Sequence, residues 1–246
     1  MNGEATELLE SFDSNILILN IFKKQINGIL DLSRFVNLEC LSCSFCKIDS
    51  IINIPPTLKK LECGYNNIEQ LENLPEGLEL LWCNHSKITL LDNLPNSLES
   101  LNCHYNQIKT LDNLPNNITV LSCGNNQIVN LDLLPITLKK LYCKTNKIKS
   151  LDCLPRDLEF LNCEENQIET LDNLPESLIE LYCQINLIKS LDNLPGKLKT
   201  LNCSSNQIKT FDNLPKSLEK LMCQLNKISR NFDYTKKYPN LKSVSY

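Results

Sequence analysis

Leucine stands at Leu41 and at every twentieth position after it up to Leu221, and three further columns keep the same step. Cysteine runs from Cys43 to Cys223, isoleucine from Ile48 to Ile228 and proline from Pro55 to Pro215. The unit reads L-x-x-L-x-C-x-x-N-x-I-x-x-L-D-N-L-P-x-x. A fixed period of this length restricts the chain to a stack of like supersecondary units, because one such unit buries too little apolar surface to stand alone. The ends depart from the period, as terminal units do. Ile16, Leu19 and Ile21 align with Leu38, Leu41 and Cys43 at a step of twenty-two. Leu241, Val244 and Tyr246 align with Leu218, Leu221 and Cys223 at a step of twenty-three, which brings the expected strands to about twelve. Residues 1–15 are expected to form a cap segment, with Leu8, Leu9 and Phe12 on one side of a short helix. Residues 16–246 are expected to form one solenoid, regular over about 38–230 and atypical over 16–37 and 231–246.

Within the unit, L-x-C alternates with period two, the mark of a short strand. Leu101 and Cys103 should point inward and Asn102 outward, with successive strands pairing in parallel into one sheet. The return half of a typical copy holds Ile108, Leu111, Leu114 and Pro115. Ten residues with a proline leave no room for a helical crossover, so an extended, polyproline-like return is expected on the convex side. An asparagine column (Asn66, Asn106, Asn126, Asn146, Asn166, Asn186, Asn206, Asn226) follows the strands. A buried amide must be satisfied, and a row of amides can satisfy turning backbone. Cys46 and Ser86 interrupt the column, and their turns should be less well held.

The copy Leu98-x-x-Leu101-x-Cys103-x-x-Asn106-x-Ile108 resembles the leucine-rich-repeat signature L-x-x-L-x-L-x-x-N-x-L over nearly the whole chain. The resemblance implies a β-rich solenoid of the α/β class with a curved parallel sheet on its concave side. The twenty-residue length and the recurrent Leu-Pro resemble the short repeats of bacterial effector proteins. The cysteine variant and the asparagine-rich composition resemble repeat proteins of giant DNA viruses and amoebae.

Net charge is -4 with 22% charged residues, which argues against a general nucleic-acid binder or a polybasic membrane surface. The longest apolar run, Ile16 to Phe22, is broken by Asn20 and falls short of the roughly 20 residues that span a bilayer. The chain opens Met1-Asn2-Gly3-Glu4 without the basic start and apolar stretch of a secretory signal. Thirteen cysteines in such a chain point to free thiols in a reducing, cytoplasmic compartment.

Two columns and two histidines could carry chemistry. The cysteine ladder could be a metal-thiolate or redox row, but Cys in place of the usual inward Leu reads as a small buried hydrophobe. Cys40, Cys46 and Cys153 lie off the ladder and are expected to be the exposed thiols. Cys40, Cys43 and Cys46 form a C-x-x-C-x-x-C run, of which only one member should face the core, so no metal site is expected. The acidic column (Glu72, Asp92, Asp112, Asp132, Asp152, Asp172, Asp192, Asp212) could take calcium between neighbours, yet turn chemistry is its simpler use. His85 and His104 lie near Cys83 and Cys103, but on opposite sides of the strand end, which leaves catalysis without a pair. No cofactor motif is present, and the expectation is a non-enzymatic chain.

The outward positions remain. The scaffold makes no demand on them, yet they hold Trp82, Tyr142, Tyr182 and Met222, flanked by Tyr65, Tyr105, Phe160, Lys140, Lys144, Glu164 and Glu165. Exposed aromatic residues and methionine on such a sheet fit interface anchors, so a protein partner on the concave face is expected. The viral resemblance would make that partner a host protein. Alternatives are an adaptor for a ubiquitin ligase, for which residues 1–15 look too short to hold an F-box, and a passive structural or virion component assembling through terminal strand edges.

Overall fold

A computed structural model describes residues 3–228 and 237–245. The chain forms two compact units, Met1–Asn126 and Gln127–Tyr246. Both are stretches of parallel β-solenoid, as the period requires. The first contains helix α1 (Gly3–Glu10) and strands β1 (Ile18–Asn20), β2 (Gly28–Asp31), β3 (Cys40–Ser42), β4 (Ile48–Ile52), β5 (Lys60–Glu62), β6 (Leu80–Trp82), β7 (Ser100–Asn102) and β8 (Val120–Ser122). The second contains β9 (Lys140–Tyr142), β10 (Phe160–Asn162), β11 (Glu180–Tyr182), β12 (Thr200–Asn202), β13 (Lys220–Met222) and β14 (Ser243–Ser245). Among the described residues, twelve strands are therefore of the leucine-column kind.

The register follows the columns. In unit 1, Leu19 pairs with Leu41, Leu41 with Leu61, Leu61 with Leu81, and so on to Leu121. In unit 2, Leu141, Leu161, Leu181, Leu201 and Leu221 pair in sequence, and Leu221 pairs with Val244. The atypical steps of twenty-two and twenty-three thus change the loop and leave the register intact; Tyr246 lies outside the described residues. Each unit stacks Leu, Cys and Ile in layers, with Leu101, Cys103 and Ile108 no more than 1% exposed. Burying each such leucine or isoleucine contributes about 1.5–3 kcal/mol, but only against neighbouring copies.

Two features of the return path depart from the expectation. In the first two copies it forms a second small sheet, in which β2 pairs in parallel with β4. The Ile48-Asp49-Ser50-Ile51-Ile52 segment is rich in β-branched residues, which suits a strand. Elsewhere among the described residues the return is free of strand but interrupted by turns, with left-handed residues such as Asn93 at φ 57° and Asn173 at φ 60°. Each column proline heads a tight turn, its carbonyl accepting the N–H of the leucine (isoleucine at 118) three residues on, as in Pro95 to Leu98 and Pro175 to Leu178. The cap helix also differs in detail: Ala5 and Leu9, one turn apart, are its buried pair, while Leu8 and Phe12 are half-buried.

The asparagine column locks neighbouring turns. Asn126 Oδ1 accepts the Ile108 N–H at 3.0 Å, and its Nδ2 donates to the carbonyls of Cys103, Cys123 and Gly124 at 3.0–3.1 Å. One side chain thereby satisfies four backbone groups, two of them in the preceding copy. Cys46 replaces this function in part, because its buried thiol donates to the Ile21 carbonyl at 2.9 Å. Its turn is therefore better held than expected, and Cys46 is no exposed thiol. Ser86 is too short to reach, and its buried Oγ has no hydrogen-bond partner among the described residues.

Candidate functional site

The residue just before each column asparagine adopts the left-handed conformation, without any glycine to ease it. The φ values are 61° at Phe45, 55° at Tyr65, 52° at His85, 52° at Tyr105 and 51° at Asn125, and the row continues through Thr145, Glu165, Ile185, Ser205 and Leu225. The N–H of each turn residue donates to the next copy, as Tyr65 does to the Asn84 carbonyl at 2.8 Å and His85 to the His104 carbonyl at 2.8 Å. Successive side chains of this row therefore leave the turn in the same direction.

In unit 1 this geometry builds a ring stack. Phe45 and Tyr65 lie 4.0 Å apart between centroids, Tyr65 and His85 4.0 Å, and His85 and Tyr105 4.1 Å, all with planes within 20° of parallel. Phe22 adds an edge contact at 5.5 Å to Phe45, and His104 one at 4.5 Å to Tyr105. Sequence reading marked Tyr65 and Tyr105 and missed Phe22, Phe45 and the role of His85. The signal was present as a column of rings at 45, 65, 85 and 105, but its meaning depended on the turn. Partial burial pushes the His85 imidazole down from its usual range. Cys83 and Cys103 stay in the core, away from this row, so no Cys–His pair forms.

Unit 1 also presents Trp82 from the outward side of β6, 40% exposed and in none of these ring contacts. Near it a depression of about 250 Å³ is lined by Ile18, Asn20, Cys40, Ser42, Lys60 and Glu62. In unit 2 the outward side of β9 to β11 brings three expected residues together: Phe160 lies 4.6 Å from Tyr142 and 5.5 Å from Tyr182. The Tyr182 hydroxyl donates to Glu180 at 3.1 Å, and desolvation, then that carboxylate, raise the phenol above its usual range. Lys140 and Glu165 are exposed, and Lys144, Glu164 and Met222 half-buried. Glu165 accepts the Thr145 hydroxyl at 2.9 Å.

The remaining columns take structural roles. Asparagines two residues before the column prolines donate to the aspartates of the preceding copy, as Asn113 does to Asp92 at 2.8 Å and Asn193 to Asp172 at 2.7 Å. The hydroxyls of Ser150 and Ser190, followed by the amides of Asn173 and Asn213, hold Asp152 and Asp192 below the usual carboxylate range. Among the described residues no group of three or more His, Cys, Asp or Glu is placed to hold a metal ion. Of the Cys40, Cys43 and Cys46 run, two members rather than one are buried. All thirteen cysteines are free thiols, eleven of them buried. Burial pushes the Cys83 and Cys163 thiols up to about 12, opposite to what a nucleophile requires. A thiol reagent applied to the native protein at neutral pH should therefore label exposed Cys153 first and half-exposed Cys40 next. Mass spectrometry of the alkylated protein checks this, and fast labelling of any ladder cysteine would refute the sealed core.

No helix among the described residues is long and apolar enough to cross a membrane. No protein-family model and no curated protein matches the sequence. Solved structures do. YopM from Yersinia enterocolitica WA-314 is 29% identical with a TM-score of 0.72, over 85% of this chain and 53% of that one. The functional domain of InlJ from Listeria monocytogenes, which includes a cysteine ladder, is 28% identical with a TM-score of 0.72, over 94% of this chain and 58% of that one. YopM of Yersinia pestis, a leucine-rich effector protein, is 27% identical with a TM-score of 0.63, over 93% and 76%. The chain thus spans little more than half the length of the first two. The repeat unit, its in-register strands, its asparagine-locked turns and these neighbours make the chain a leucine-rich-repeat protein.

Proposed function

We propose that the chain is a non-enzymatic protein-binding module that holds its partner on the outward face of the strands. The observation that carries this reading is the cost-free freedom of those positions. Registers, layers and turns are complete without them, yet they hold 40%-exposed Trp82 in unit 1 and the Tyr142–Phe160–Tyr182 cluster in unit 2. Large aromatic side chains on a rigid sheet lose little entropy on binding and dominate interface energetics. Likeness to a leucine-rich effector protein agrees with an interaction role. Lys140, Lys144, Glu164 and Glu165 flank the unit 2 cluster and would orient the partner by charge more than add affinity.

The test is affinity capture from cytosolic extract with the wild type and with a Trp82→Ala/Tyr142→Ala/Tyr182→Ala variant shown by circular dichroism to be folded. A partner held by the wild type and lost by the variant is the expected result. Capture of the same proteins by both, or of none by either, would refute the strand face as the binding surface.

A further inference from the structure

The ring stack of unit 1 lies on the turn edge, a different surface from the strand face proposed above. Its backbone positions favour asparagine or glycine, since bulky side chains disfavour the left-handed region. Asn125 meets that preference, but Phe45, Tyr65, His85 and Tyr105 do not. The backbone conformation alone therefore does not call for rings at these four places. The rings are kept at the surface: Phe22 is 44% exposed, Phe45 39%, Tyr65 42% and Tyr105 46%.

The charge around the stack has one sign. Segments 22–25, 44–47, 64–67, 84–87 and 104–107 contain Lys23, Lys24, Lys47 and Lys87 and not one aspartate or glutamate. All four lysines are exposed. The Lys23 ammonium closes the end of the stack, 5.1 Å from the Phe22 ring centroid and 5.7 Å from that of Phe45. The flanking carboxylates are Glu62 on the strand and Asp49 and Glu69 on the return, and of these Asp49 reaches the margin of the edge, where it accepts the Asn67 amide at 3.2 Å. In a chain of net charge -4, an aromatic edge with four lysines and one bordering carboxylate is a local departure.

We infer that this edge is a docking strip for an acidic polypeptide segment with interspersed apolar or aromatic residues. Stacked rings have no free inner faces, so they offer their edges and outer sides to apolar groups, while the lysines meet carboxylates. A short acidic segment needs only this local patch. A long polyanion would also meet the acidic columns beside it and be repelled, which favours a peptide over nucleic acid.

The probe is a fluorescein-labelled twelve-residue peptide repeating Glu-Glu-Leu-Phe, read by fluorescence anisotropy. A Lys-Lys-Leu-Phe repeat, single-stranded oligothymidylate and phosphatidylserine vesicles serve as alternatives. The acidic peptide should bind more tightly than all three, and its affinity should fall with added salt. Phe45→Asn/Tyr65→Asn/Tyr105→Asn should weaken it at least about tenfold. That variant should keep the fold, which circular dichroism checks, because Asn125 already occupies the equivalent place at φ 51°. A Lys23→Glu/Lys47→Glu/Lys87→Glu variant should lose binding with every ring retained. The strand-face variant should bind as the wild type does, so failure of one surface is distinguishable from failure of the other. Equal binding of acidic and basic peptides, preference for oligonucleotide or vesicle, or indifference to the ring substitutions would each overturn the proposal.

Discussion

Between about pH 9 and pH 10 the fold is expected to collapse, in a transition far steeper than lysine or tyrosine ionisation would give. Eight ladder thiols, from Cys43 to Cys103 and from Cys143 to Cys203, are held protonated by burial, with desolvation the largest cause at each. In the unfolded chain they regain an ordinary thiol pKa of about 8.5. A raised folded pKa means that their stabilising effect is complete below about pH 8.5 and drains away as pH climbs towards the folded values. Each thiol costs about 1.4 kcal/mol of stability by roughly pH 9.5, so the eight together remove on the order of 11 kcal/mol. That matches the whole stability of a typical domain, about 5–15 kcal/mol. Circular dichroism under reducing conditions, with urea titrations at successive pH values, measures the midpoint and the number of protons released. A fold intact beyond about pH 10.5 would refute the predicted collapse, and thiolate absorbance rising before structure is lost would show that the ladder ionises in place.

Asn186→Ala should destabilise unit 2 by about 3–5 kcal/mol, and Ser86→Asn should stabilise unit 1 by about 1–2 kcal/mol. Asn186, 7% exposed, accepts the Ile168 N–H at 3.0 Å and donates to the Cys163 and Cys183 carbonyls at 3.0 and 3.1 Å. Alanine leaves those groups buried without a partner, and each such group costs about 1–3 kcal/mol. Ser86 stands in the same column with an unpartnered Oγ, so asparagine there would supply the carboxamide that its neighbours already use. Urea unfolding at neutral pH tests both. A change below about 0.5 kcal/mol for Asn186→Ala would mean that water replaces the side chain, and destabilisation by Ser86→Asn would mean that the turn at 86 has closed around the smaller residue.

The repeat made the architecture legible because strict columns specify register and inward direction together. Leu41 to Leu221 and Cys43 to Cys223 are layered as their spacing required. What escaped depended on turn geometry. Cys46 looked like a gap in the asparagine column, but a thiol can donate to a carbonyl and did so towards Ile21. The prolines were read as part of an extended path, whereas each carbonyl closes a turn onto the leucine or isoleucine three residues on. The β2–β4 sheet occurs only where the return segments carry enough β-branched or long apolar side chains to pair. His85 was weighed as a catalytic group, although its column neighbours at 65 and 105 are tyrosines that sandwich it. Trp82, Tyr142, Phe160 and Tyr182 were legible as outward residues, but only coordinates show that the last three meet.

The asparagine bonds all lean the same way. Asn206 reaches back to the Ile188 N–H and the Cys183 carbonyl, Asn226 back to the Ile208 N–H and the Cys203 carbonyl. In these bonds the turn of a copy is fastened by the asparagine of the copy that follows it. A ribosome delivers the copies in that order, so each newly emerged asparagine can close the turn made twenty residues earlier, like the slider of a zip. Growth of such an array, in synthesis or by gene duplication, needs no rearrangement of what is already closed.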